Sequence, residues 1–166
     1  MEFRESFRAW LADGLSHAIP DSVKAFAFNL YEPAMVDGVK FGIELIGAGE
    51  FDENDPDWAC DEVWEPSTRG INIPVSYSGD RWEQCLRKLR ALLVRELDEP
   101  SAQRLKASQG VGIGFVDGDL EVVWKPRQSD PMAPKGQGHN ARHARRPRHR
   151  PHDRSERGPC QRRREP

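Results

Sequence analysis

Residues 2–15 place Phe3, Phe7, Trp10, Leu11 and Leu15 at helical spacing, with Glu and Arg between them. That spacing predicts an amphipathic helix, with Gly14 as its C-terminal stop. Ile19-Pro20-Asp21 then breaks the pattern. VKAFAFNLYEP alternates, with Phe26, Phe28 and Leu30 on one face, and VKFGIELIG alternates again through Val39, Phe41, Ile43 and Leu45. Two antiparallel strands around the turn residues Asp37-Gly38 follow from this. DEVWEP reads as a short third strand and INIPV as an edge strand, because Pro74 has no N–H to donate.

A second helix is predicted over about 81–97. Trp82, Cys85, Leu86, Leu89, Leu92, Leu93 and Leu97 form its apolar stripe, and Asp80 and Glu83 have capping-box spacing. Glu99-Pro100 ends it, and Pro100 opens a short helix that stops near Gly110. GVGIGFVDGDLEVVW reads as a hairpin turning at Asp117-Gly118. A two-residue loop would pair Phe115 with Leu120, Ile113 with Val122 and Val111 with Trp124, all on one face. The sum is an α+β domain: a mostly antiparallel sheet, an N-terminal helix and a central amphipathic helix covering one face, and a C-terminal β-hairpin.

Charge divides the chain where the apolar pattern ends. Residues 126–166 hold twelve Lys and Arg, four Asp and Glu, and no Ile, Leu, Val, Phe, Tyr or Trp. Without such side chains a segment cannot offset its ordering entropy. The expectation is one globular domain over 1–125 and a disordered Arg/Pro/His-rich basic tail over 126–166. The abrupt composition break also resembles an out-of-frame extension. The first 125 residues hold 13 basic and 23 acidic side chains, so the near-neutral whole hides an acidic domain. MEFRESFRAW is not a secretory signal, and no apolar run approaches membrane-spanning length. Three widely spaced cysteines argue against a disulfide framework. A cytoplasmic protein without a membrane partner is expected.

The most unusual stretch is GEFDENDPDWACDEVWEP, residues 49–66. It holds eight carboxylates and two tryptophans, with no Lys or Arg. Calcium binding fails on spacing: counted from Asp52, position five is Pro56, position six is Asp57 rather than Gly, and position twelve is Val63. Paired carboxylates for acid–base work would require Trp58 and Trp64 to wall a concave pocket. The remaining functional reading is recognition of a basic protein. Asp52, Glu53, Asp55, Asp57, Asp61 and Glu62 would supply the field, and Trp58 or Trp64 an apolar anchor. Against these stands a solvated loop whose tryptophans turn inward as core.

Other chemistry is thin. The glycines of GVGIGF lie inside a strand rather than before a helix, so they suit close approach of another surface better than a dinucleotide. Cys85 reads as core. Cys60 lies amid carboxylates that disfavour a thiolate, and His17 is the only histidine before the tail. No G-x-S-x-G or H-E-x-x-H motif occurs, so the case for an enzyme is weak, and no cofactor or metal is called for. The tail could contact nucleic acid through Arg–phosphate pairs, though it has no aromatic residue for stacking.

FDENDPDWACDEVWEP, the WEQCLRKL helix and the closing VGIGFVDGDLEVVW together resemble small, mostly uncharacterised bacterial proteins. They broadly resemble the immunity proteins of bacterial toxin systems, over about residues 2–125. The resemblance implies a non-enzymatic inhibitor of a basic, nuclease-like toxin. The alternatives are a small hydrolase or transferase using clustered carboxylates, and nucleic-acid binding through the tail.

Overall fold

The computed structural model describes residues 2–127. The reading of a disordered basic tail falls almost wholly outside these residues. The chain opens with helix α1 (Phe3–Ser16), followed by strands β1 (Ala25–Tyr31) and β2 (Val39–Ala48). These two pair antiparallel from Ala25↔Ala48 to Tyr31↔Gly42. Gly38, with φ of 73°, makes the left-handed turn residue between them. Strands β3 (Glu62–Trp64) and β4 (Gly70–Pro74) lie in line along the other edge of β2, at its end and its start respectively.

One short helix, α2 (Val75–Ser78), leads into the long α3 (Trp82–Glu96). A 3-10 turn at Pro100–Ala102 and helix α4 (Gln103–Lys106) return the chain to β5 (Val111–Phe115) and β6 (Glu121–Trp124). β5 enters beside β1 in the same direction, from Phe26↔Val111 to Leu30↔Phe115. The sheet order is therefore β3-β2-β1-β5-β6, six strands with β4 beside β2, mixed but mostly antiparallel. The parallel pair lies at the centre, where both faces are covered, as parallel pairing requires.

Period-two alternation sorts the strands into two faces. Phe26, Phe28, Leu30, Phe41, Ile43, Leu45, Val111 and Ile113 join the apolar stripes of α1 and α3 in the main core. All five predicted α1 positions are buried there. The opposite face carries small residues, Ala25, Ala27 and Ala48, with Ile46. Trp58, Ala59 and Leu120 are buried on it, and Phe51 packs alongside.

Four local expectations are corrected. Gly14 does not stop α1: it sits buried within the helix, where an added Cβ would lie 3.2 Å from Pro66 Cβ. The capping box is not formed. Arg81 holds the N-cap position of α3 without a side-chain cap bond, and the Asp80 carbonyl instead accepts from Lys40 Nζ at 2.7 Å. Trp82 leaves the stripe and is 55% exposed, its ring edge-on to Phe115. Finally, β6 does pair antiparallel with β5, but Val122 faces Gly112 and Glu121 faces Ile113, with a register shift after the Val111↔Trp124 pair. The turn closes at Phe115–Gly118, one residue earlier than the Asp-Gly signal suggested. That slip moves Leu120 away from Phe115 and onto the opposite face.

Candidate functional site

The acidic segment leaves β2 at Gly49 and returns as β3, so it crosses the face of the sheet that the helices leave open. Phe51 and Trp58 turn inward and meet edge-to-face, 5.2 Å between centroids and 70° between planes. Trp58 is 3% exposed. The room for it comes from the sheet: an added Cβ on Gly112 would lie 3.0 Å from Trp58 Cζ2 and from Leu120. The glycines of GVGIGF therefore admit a covering surface. Trp64 turns to the other side of the sheet. It packs edge-on to Phe26 at 5.9 Å and donates its indole N–H to the Ala18 carbonyl at 3.2 Å.

The two tryptophans thus lie against opposite faces and do not wall a common pocket. Trp58 belongs to the core rather than to an exposed anchor, and Trp64 is half-buried with its N–H in use. Within the segment the large apolar side chain open to solvent is Val63.

Local hydrogen bonds hold the outward half of the loop. Asp52 Oδ1 accepts from the Asn54 N–H at 2.9 Å, and Asp55 Oδ1 from the Asp57 N–H at 3.0 Å. The Asp52, Asp55 and Asp57 carbonyls accept from the N–H groups of Asp55, Trp58 and Cys60. These Asx-type bonds wind the chain into the 3-10 turn Trp58–Cys60 and point Trp58 at the sheet. The Asp61 carbonyl closes the loop by accepting from the Gly49 N–H at 2.8 Å.

The carboxylates fall into two sets. Arg69, in the link between β3 and β4, gathers Glu44 at 2.9 Å, Glu62 at 2.5 Å and Glu65. Partial burial alone would lower the Arg69 pKa, but hydrogen bonds to Glu62, Glu44 and Glu65 more than reverse this and hold it firmly charged. Glu44 also accepts from Asn29 Nδ2 at 3.2 Å. Glu53 pairs with Lys125. Sequence distance hid Lys125, whereas Arg69 stands just outside the stretch, four residues beyond Glu65. In the second set, Glu50, Asp52, Asp57 and Asp61 are exposed and Asp55 is half-buried. Among the described residues none of these five has an ion pair.

Of the expected docking set, the structure brings Asp52, Asp55, Asp57 and Asp61 to one outward loop. It diverts Glu53 and Glu62 to ion pairs, and it withdraws Trp58. Among the described residues no group of three or more His, Cys, Asp or Glu is placed to hold a metal ion. No helix there is long and apolar enough to cross a membrane. Cys85 lies buried on α3, and burial pushes its thiol up to about 12 against a smaller opposing pull from Lys88, which leaves it unsuited to nucleophilic attack. No family model, curated protein or solved structure matches the chain.

Proposed function

We propose that the protein is a non-enzymatic binding module whose acidic loop docks a basic protein, an immunity-type inhibitor of a basic toxin being the concrete form. One observation carries this reading. Asp52, Asp55, Asp57 and Asp61 stay without a cation on a loop pinned from beneath by Trp58, while neighbouring glutamates are neutralised by Arg69 and Lys125. Fixed, unpaired charge steers an oppositely charged partner without first breaking internal ion pairs. Val63 supplies the apolar contact first assigned to the tryptophans. Catalysis by these acids has no support in their arrangement, since Glu44, Glu62 and Glu65 converge on Arg69 rather than on a cleft.

The test replaces Asp57 with a photoreactive residue and crosslinks in the native cell. A captured protein of high isoelectric point is expected. Its association with the purified chain should slow several-fold at about physiological ionic strength relative to low salt, and again with D55K/D57K. Capture of no basic protein, or association indifferent to salt and to charge reversal, overturns the reading.

A further inference from the structure

On the helix side of the sheet a second charged feature lies outside the acidic loop. A groove of about 260 Å³ is lined by Arg4, Tyr77, Lys88, Ala91, Leu92 and Arg95. Three of these six are cations, and none is a carboxylate. In a region with 23 acidic and 13 basic side chains, cations are expected to find acidic neighbours. Six of the thirteen do: Arg8, Arg69, Arg81, Arg90, Lys106 and Lys125 each have an ion pair. Among the described residues Arg4, Lys88 and Arg95 have none.

The groove is also shaped. Lys88 Nζ donates to the Tyr77 carbonyl at 2.7 Å and stands 5.8 Å from the centre of the Tyr77 ring, which fixes the ammonium against one wall. Tyr77 is in turn packed on Phe3, 4.7 Å between centroids, and Leu92 is buried beneath. Arg4 enters from the first turn of α1, where no side chain caps the helix start and the backbone dipole favours negative charge. Arg95 enters from the last turn of α3. Two planar guanidinium forks and one point-charge ammonium around a small space fit a divalent oxyanion with three acceptor oxygens better than a single carboxylate.

We infer that the Arg4–Lys88–Arg95 groove binds the phosphoryl group of a small soluble phosphomonoester, with the Tyr77 ring beside it. The site is separate from the acidic loop and does not depend on the docking reading.

The experiment is an NMR titration of the full chain with phenyl phosphate and with inorganic phosphate, at constant ionic strength, with chloride as the reference anion. Saturable shifts at Arg4, Lys88, Arg95 and Tyr77 are expected. Arg4→Gln and Arg95→Gln should each weaken binding about tenfold, the effect of losing one charge-assisted contact. Arg87→Gln, on the same helix but outside the groove, should not. All three side chains are exposed, and unchanged spectra of the free variants show that the fold is kept. Shifts that rise linearly without saturation, that chloride reproduces, or that Arg87→Gln weakens equally would overturn the inference. So would binding to phosphatidic-acid vesicles without binding to the free ester.

Discussion

Trp58 and Trp82 show how little a residue's chemistry says about its surroundings. Trp58 sits among carboxylates and is core. Trp82 has the spacing of an apolar stripe in the sequence and is exposed. The difference comes from what faces each ring. Small Ala and Gly residues on the sheet open a place for Trp58, whereas Trp82 stands at the start of α3 and meets the Phe115 ring edge-on. Trp58→Ala should therefore cost about 3–5 kcal/mol in urea unfolding. Trp82→Ala should cost about 1 kcal/mol or less. Equal losses would contradict the placement. Cys85 supplies a pH test. Its folded thiol is held up to about 12, so the unfolded chain ionises first once the pH passes its ordinary value of 9.0. The stability from neutral burial is complete below pH 9.0 and is lost as pH rises toward 12. Cys85→Ala should flatten that alkaline decline in unfolding midpoint. An unchanged slope would count against it.

At the scale of elements, periodicity made α1, β1, β2 and α3 legible, because each buries one regular face. The parallel contact of β1 with β5 was not legible, since nothing in either strand encodes a neighbour so distant in sequence. The slip at β6 was not legible either. Asp117-Gly118 is a sound turn signal, but burying Leu120 beside Trp58 over Gly112 favours the shifted register. The tie between α1 and α3 was equally hidden. Arg8 holds both oxygens of Glu96 at 2.9 Å, and Glu96 is only 3% exposed. The hydrogen bond to Glu96 raises the Arg8 pKa and holds the guanidinium charged. Removing Arg8 strands the buried Glu96 carboxylate, whereas removing both does not. Arg8→Met should lower Tm, and Arg8→Met with Glu96→Met should recover most of the loss. Additive losses would mean that the two side chains are not coupled.

Over the whole molecule, the acidic excess of the first 125 residues is unevenly spent in ion pairs. Arg69 and Lys125 quiet Glu53, Glu62 and Glu65, and among the described residues the aspartates of the loop have no ion pair. The presence of this segment was plain in the sequence, but its division was not, because it depends on cations in the link between β3 and β4 and just beyond β6. Folding also explains the tryptophans: Trp58 plugs the uncovered sheet face and Trp64 seals the edge of the main core, while the acids around them face outward. The central claim is that this loop is where a basic protein lands. The most direct measurement is an NMR map of the chain titrated with a short oligolysine peptide at low salt. The account predicts saturable shifts concentrated in residues 49–63, abolished by D55K/D57K. Shifts spread evenly over Glu32, Asp98, Asp117 and the other exposed acids, and unchanged by the charge reversal, would contradict it.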